Sequence, residues 1–234
     1  MSNERDKAIL ELLLKEKQVT VKQLASHLFI SEPSVRRDLA RLEKQRLIKR
    51  THGGAMIEKD ALSKTKIPFT IRELEQSNAK IVIAQKAIGL VNDNDVIFID
   101  ASTSAYNVIP FLSSKKNITV VTNGVRALEK LAEHDINTIS TGGTLIGSRK
   151  ALVGDEAYRT IESINADIAF FSCRGLSDDG YLTDIAPDEN YVRAKMIKNA
   201  RKSYLLCTSD KLGKQYFHNL CHKDKIDGIL SELE

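Results

Sequence analysis

Residues 30–55 read ISEPSVRRDLARLEKQRLIKRTHGGA, and this stretch decides the N-terminal fold. It opens with Ser31-Glu32-Pro33, a helix-start signal. A serine hydroxyl can cap exposed backbone amides, and proline is tolerated in a first helical turn. The spacing that follows predicts a helix over about 32–45, whose inward-facing residues are Val35, Leu39 and Leu42.

Two more helices are predicted before this one. Residues 4–17 have an apolar stripe at helical spacing, and VKQLASHL (21–28) is a compact amphipathic segment. This pattern of two short helices joined by a tight turn is typical of a helix-turn-helix. The second helix has Ser and Arg near its start, as expected of a helix that enters the major groove. After it, residues 47–55 predict a short β-ribbon in which Gly53-Gly54 permits a tight turn.

Hydroxyl and basic side chains of this module form the predicted DNA-binding set. Arginine can bind guanine edges or phosphates, serine can bind either, and a basic wing adds phosphate or minor-groove contacts. Asp38 is expected to orient a neighbouring arginine rather than to touch DNA. The alternative is a solvated charged helix in a small bundle. The predicted DNA contacts are Ser31, Ser34, Arg36, Arg37, Arg41, Arg50 and His52.

Positive charge is concentrated in the same part of the chain. Residues 1–57 contain 12 Lys and Arg against 7 Asp and Glu, a net +5, whereas the whole chain has +4. A basic module joined to a near-neutral larger segment is the electrostatic outline of a DNA reader attached to another domain.

The rest of the composition predicts an ordinary cytoplasmic protein. No apolar run approaches the roughly 20 residues that span a bilayer, and the charged N-terminus is unlike a signal peptide. Three cysteines without paired spacing favour reduced thiols.

The order of features in residues 30–55 resembles the DeoR family signature, in which a serine cap, Arg-Arg-Asp-Leu and a His-Gly-Gly-Ala wing follow one another. Ser34 stands where the family often has Thr, which keeps the hydroxyl. The resemblance implies a bacterial repressor of a carbohydrate-use operon. We expect a winged helix-turn-helix domain at 1–57, a linker at 58–75 and an α/β sensor domain at 76–234.

Apolar runs alternate with helical patterns beyond the linker, which predicts a Rossmann-like parallel sheet with helices on both faces. The predicted strands are 95–100, 117–122, 136–141, 166–172 and 203–208. The predicted helices are 102–113, 124–134, 154–163 and 188–202.

Small, hydroxylated and charged residues collect where these strands end. In a parallel sheet, ligands bind outside the carboxyl ends of the strands, and glycine amides with hydroxyls form an anion cradle. Arg174 and Lys211 supply cations, and Asp100 and Glu189 supply acceptors for sugar hydroxyls. Each loop alone could equally be a helix cap or turn. The predicted effector set is Asp100, Ser102, Thr103, Ser104, Thr122, Asn123, Gly142, Gly143, Arg174, Gly175, Glu189 and Lys211.

This half of the chain resembles the DeoR-family sensor domain, which is related in fold to ribose-5-phosphate isomerase. The resemblance implies a phosphorylated sugar as the effector and no cofactor. One motif departs from the family pattern. The family usually has Asp, one residue, Ser and Lys, whereas this chain has Thr208, Ser209, Asp210 and Lys211.

Two other functions remain open at this stage. A sugar-phosphate isomerase or deaminase with an appended DNA-binding module could use Asp100, Glu189 and Lys211 for acid/base chemistry. A metal sensor could use His218, Cys221 and His222. The regulator is the preferred interpretation, with no metal, no catalytic residue, and a homo-oligomer (dimer or tetramer) on double-stranded operator DNA as the working form.

Overall fold

The computed structural model describes residues 4–57 and 67–233 and divides the chain into two compact units, Met1–Glu75 and Gln76–Glu234. Residues 58–66, half of the predicted linker, lie outside the described residues. None of the described helices is long and apolar enough to cross a membrane.

The first unit is a winged helix-turn-helix. Its helices are α1 (Glu4–Glu16), α2 (Val21–Leu28), α3 (Glu32–Lys44) and α4 (Phe69–Leu74). Its strands β1 (Gln18–Thr20), β2 (Ile48–Thr51) and β3 (Gly54–Ile57) form an antiparallel sheet with β3 in the centre.

One apolar core holds the first unit together. Leu10, Leu24 and Leu39, from three helices, are fully or almost fully buried together with residues of the wing strands. Ile71 and Leu74 of α4 belong to this same core, so part of the segment predicted as linker packs within the first unit.

The second unit contains a six-stranded parallel sheet in the order β14-β12-β9-β4-β5-β6. The strands are β4 (Val96–Ile99), β5 (Thr119–Thr122), β6 (Asn137–Ser140), β9 (Ala166–Phe171), β12 (Ala200–Leu206) and β14 (Gly228–Leu230). All five predicted strands are present, and β14 is an addition.

Side chains alternate between the two faces of the sheet, as period-two geometry requires. Ile97 and Ile99 of β4 face a core shared with α5 (Ser77–Ile88), α6 (Thr103–Tyr106), α7 (Ile109–Leu112) and α8 (Val125–Glu133). Phe98 faces the opposite core, with α9 (Asp155–Glu162) and α10 (Pro187–Lys198).

The helix predictions need two corrections. The segment 102–113 contains two short helices rather than one, and α10 ends at Lys198 because β12 already begins at Ala200.

Two small antiparallel sheets complete the unit. One is a hairpin of β7 (Thr144–Ile146) and β8 (Ala151–Val153). The other consists of β10 (Gly175–Leu176), β11 (Tyr181–Asp184) and β13 (His218–His222). The three cysteines are free thiols, as the sequence led us to expect, and Cys173 and Cys207 are buried in one apolar cluster.

Candidate nucleic-acid interface and effector site

The start of α3 differs in detail from the sequence prediction. Ser31 is the N-cap residue, but its hydroxyl makes no capping bond to the helix backbone. It lies 3.0 Å from the hydroxyl of Ser34 instead, while the Ser31 carbonyl accepts the backbone N–H groups of Ser34 and Val35. The two hydroxyls thus stand together at the exposed start of the helix.

Arg36 and Arg37 are exposed on α3. One Nη of Arg36 lies 3.4 Å from Glu32, and one Nη of Arg37 donates to the Ser34 hydroxyl at 3.2 Å. These are weak surface contacts that a competing phosphate or base edge can replace. Both arginines therefore remain available to a ligand.

Arg41 is held much more firmly within the protein. Its guanidinium donates to both carboxylate oxygens of Asp6 at 2.5 and 3.2 Å, and to Asp38 at 2.8 Å. These hydrogen bonds raise the pKa of Arg41 above its ordinary value. Asp38 also accepts from Arg5 at 3.3 Å, in agreement with the expected arginine-orienting role. The predicted DNA contact Arg41 therefore ties α3 to α1.

The wing is a hairpin with a two-residue loop, His52-Gly53, in which Gly53 has a φ of +85°. Gly54 is required for a different reason, because a Cβ there would lie 2.3 Å from the carbonyl oxygen of Val19 in β1. Arg50 and His52 are exposed, and the Arg50 backbone N–H donates to Glu43 of α3 at 3.0 Å. That bond fixes the wing beside the recognition helix.

The strand order of the second unit reverses between β4 and β9, which defines a switch point at the carboxyl edge of the sheet. Asp100 follows β4 and Ser172 follows β9. One oxygen of Asp100 accepts the backbone N–H of Ser102 at 3.1 Å and the other accepts that of Ser172 at 3.4 Å. Asp100 thus lies at the position where open α/β sheets bind ligands.

A buried arginine that the sequence reading missed organises this edge. The guanidinium of Arg193, on α10, donates to Asp100 at 2.8 Å, to Asp184 at 2.8 Å and to Glu189 at 3.3 Å. Burial acts to lower the pKa of Arg193, but the charges of these three carboxylates raise it overall. Burial likewise disfavours the charged form of Asp184, yet Arg193 lowers its pKa. Glu189, at i−4 from Arg193, was the available sequence signal.

Three predicted residues are brought together around this centre. Glu189 accepts a second hydrogen bond, from Arg149 at 2.5 Å. The Lys211 ammonium donates to the Ser172 hydroxyl at 2.7 Å, and Ser172 donates to the carbonyl of Leu206. Hydrogen bonds therefore connect Lys211 through Ser172 to Asp100, and Asp100 through Arg193 to Glu189.

Hydroxyl and amide side chains line the ends of β4 and β5. Ser102 caps α6 through the N–H of Ala105, and Thr122 accepts the N–H of Gly124, so both serve local structure. Thr103 is buried at the start of α6. By contrast, Ser104 Oγ and Asn123 Oδ1 are buried and have no hydrogen-bond partner among the residues that the structure describes.

The remaining predicted residues are accounted for by backbone and ring contacts. Gly142 and Gly143 have positive φ angles, and a Cβ on Gly143 would lie 2.5 Å from the Val153 carbonyl oxygen. The Arg174 guanidinium lies 5.6 Å from the centre of the Tyr216 ring. Gly175 passes so close to Lys214 that a Cβ would lie 2.3 Å from its carbonyl oxygen.

The proposed metal ligands do not form a cluster. His218, Cys221 and His222 lie on β13 rather than on a helix or turn, so the two histidines are about 13 Å apart along the strand. Within residues 4–57 and 67–233, no group of three or more His, Cys, Asp or Glu side chains is placed to hold a metal ion.

The fold and the two sites define a transcription regulator with a winged helix-turn-helix and an α/β sensor unit. Comparison with known families agrees. A model of the DeoR-like helix-turn-helix domain matches residues 5–61, and a model of the DeoR C terminal sensor domain matches residues 75–232. The chain belongs to the DeoR family of transcriptional regulators, and it is a regulator rather than an enzyme.

Two curated relatives are similar along nearly their whole length. The L-fucose operon activator of Haemophilus influenzae is 32% identical over 98% of this chain and 92% of its own. The glycerol-3-phosphate regulon repressor of Escherichia coli is 26% identical over 98% of this chain and 90% of its own.

Solved structures of low sequence identity also align with this chain. The translation initiation factor eIF-2B of Pyrococcus horikoshii aligns over 100% of this chain and 90% of its own, with a TM-score of 0.52 and 14% identity. A ribose 5-phosphate isomerase A from Methanocaldococcus jannaschii aligns over 58% of this chain and 55% of its own, with a TM-score of 0.45 and 16% identity.

Proposed function

We propose that this protein is a cytoplasmic repressor of a carbohydrate-use operon whose binding to operator DNA is controlled by a phosphorylated sugar. The observation that supports this most directly is the polar centre at the switch point of the sheet, where Lys211, Asp100 and Glu189 converge. A lysine ammonium suits a phosphate group, and carboxylates suit sugar hydroxyls.

The proposed DNA interface is the exposed start of α3 together with the wing. Arg36 and Arg37 would reach base edges or phosphates of the DNA. The hydroxyls of Ser31 and Ser34 would bind the DNA at the start of the helix. Arg50 and His52 of the wing would contact the DNA backbone beside the helix. Arg41 is left out of this set because Asp6 and Asp38 occupy its guanidinium.

A homo-oligomer, dimer or tetramer, would present paired recognition helices to half-sites one or more helical turns apart. A ligand regulates such an assembly only if its occupancy and that of the operator are reciprocally coupled. Of the two relatives compared above, one is named an activator and the other a repressor. The direction of regulation therefore requires its own measurement.

The decisive experiment is a titration of operator binding against phosphorylated sugars, each matched with the same sugar without phosphate. We expect one phosphorylated sugar to change the operator affinity by about 5- to 150-fold, and its unphosphorylated match to change it far less. A reporter gene behind the operator should be derepressed when the regulator gene is deleted. No response to any phosphorylated sugar would overturn the effector assignment, and loss of reporter expression on deletion would indicate an activator.

A further inference from the structure

The lysine of the effector site stands on a short 3-10 turn, Ser209–Lys211, directly after β12. A lysine side chain is long and flexible, so its position depends on how well its backbone is fixed. Thr208 precedes the turn and is buried, but its hydroxyl makes no capping bond. The residue at the family's aspartate position therefore does not fasten the turn through its side chain.

A carboxylate from a distant part of the chain fastens the turn instead. Both oxygens of Glu232 accept the backbone N–H of Ser209, at 2.9 and 3.1 Å. Partial burial acts to raise the pKa of Glu232, but hydrogen bonds from Ser209 lower it overall, so the group is charged at neutral pH. Asp210, the carboxylate that the sequence motif displays, is exposed.

Glu232 is itself held in place. Lys86 of α5 donates to the carbonyls of Ser231 and Leu233, at 2.8 and 3.0 Å, on either side of it. The Ser231 hydroxyl also donates to the Glu232 carboxylate at 3.0 Å. These bonds fix the segment that presents the carboxylate. Strand β14 directly precedes this segment and fixes it further, because it pairs with β12.

We infer that Glu232 is a positioning residue for Lys211, because it caps the turn on which that lysine stands. It holds the Ser209–Lys211 turn so that the Lys211 ammonium faces the phosphate monoester of the effector. The inference rests on the proposed function, because it assumes that Lys211 binds the effector phosphate.

Simple electrostatics and positioning predict opposite results when Glu232 is removed. Loss of a negative charge near Lys211 should by itself strengthen the binding of an anion. Loss of the cap should weaken it, because the lysine is no longer held. We expect Glu232→Ala to bind inorganic phosphate about three- to tenfold more weakly than the unchanged protein.

Asp210→Ala is the matched control, because it removes an equal charge, from the turn itself, without touching the Ser209 N–H. It should bind phosphate as tightly as the unchanged protein or more tightly. In the Glu232→Ala background, Thr208→Asp should restore most of the lost affinity, since it returns a carboxylate to the start of the turn. Calorimetric titration gives the affinities, and urea unfolding checks that each variant is folded.

Exchange of the Ser209 backbone amide with solvent separates this inference from the proposed function. Glu232→Ala should speed that exchange in the absence of any ligand, while Asp210→Ala should not. Unchanged exchange, or phosphate binding at least as tight as normal in Glu232→Ala, would overturn the positioning role. If Glu232→Ala speeds the exchange but the unchanged protein binds neither phosphate nor any sugar phosphate, Glu232 caps the turn and the proposed function is wrong.

Discussion

Arg193 shows at the scale of a single residue how a charge is kept inside a protein. Its guanidinium is almost completely removed from water, which alone would be strongly unfavourable. Separate nitrogens donate to Asp100, Asp184 and Glu189, so all three nitrogens of the guanidinium take part. The arginine thus joins β4, the end of β11 and α10 at the effector edge.

Replacing Arg193 should strongly destabilise the second unit. We expect Arg193→Met to lower its free energy of unfolding by about 3–5 kcal/mol, because three carboxylates lose their common partner. Arg201→Met is the control, since the Arg201 side chain is 82% exposed beside Asp167, and it should change stability by less than about 0.5 kcal/mol. Urea unfolding measures both. If both variants lose equally little free energy of unfolding, the Arg193 cluster contributes little to stability.

Asp184 should make stability sensitive to acid. Its pKa is lowered from 3.8, since Arg193 outweighs the effect of burial. A group whose folded pKa is lowered contributes stability above its unfolded pKa, and that contribution is lost as the pH falls through the folded value. We expect it to be constant between about pH 5 and about pH 7, to begin to decline below about pH 4, and to be lost as the pH falls through the lower folded pKa. Asp184→Asn should be less stable at neutral pH, and its free energy of unfolding should fall less steeply as the pH is lowered. If that fall is as steep as in the unchanged protein, Asp184 is not its source.

The residues of the polar centre were only partly predictable. Asp100 and Lys211 follow from strand-end positions and residue chemistry, and Glu189 follows from its chemistry and from the family resemblance. Arg193 does not, because its partner at i−4, Glu189, is equally compatible with an exposed ion pair and does not show that the arginine faces inward. Only the packing of α10 against the sheet distinguishes it, and that is a long-range property.

Helix α3 carries two kinds of arginine, one with a weak surface contact and one held by two carboxylates. Arg37 donates to the Ser34 hydroxyl, whereas Arg41 binds Asp6 and Asp38. Arg37→Ala should weaken operator binding by about 1–3 kcal/mol with little loss of stability. Arg41→Ala should destabilise the first unit. Measuring both properties for both variants tests the division, and a destabilised Arg37→Ala or an unaffected Arg41→Ala would contradict it.

A substitution in the wing can test whether the close approach of Gly54 to the backbone of Val19 requires glycine. Gly54→Ala should destabilise the first unit by about 1–3 kcal/mol, because the new methyl group meets the Val19 carbonyl in the neighbouring strand. Lys49→Ala, an exposed change on β2, is the control. Thermal unfolding compares the two. A Gly54→Ala protein as stable as the control would show that β1 can move away.

The strands of the parallel sheet were predicted better than those of the small antiparallel sheets. The five strands found from the sequence include β9, which is buried along most of its length and therefore strongly apolar. Missed strands such as β7 and β14 are three residues long and partly exposed, so no apolar run marks them. Their pairing depends on neighbours distant in sequence, which local patterns do not contain.

At the scale of the whole molecule, the two units have separate cores and should respond separately. We expect Arg41→Ala to lower only one calorimetric transition and Arg193→Met to lower only the other. A phosphorylated sugar that binds should raise the transition that Arg193→Met lowers, by mass action. A single transition that moves with every change would show that the units unfold together.

The separation of the two cores also has a consequence for biosynthesis. The helices and wing of the first unit are close in sequence and are made before any strand of the parallel sheet, so they can fold early on the ribosome. Sheet assembly must wait for β9, β12 and β14, and Lys211 is fixed only after Glu232 has been synthesised. A newly made chain would therefore complete its winged helix-turn-helix before its proposed effector site exists.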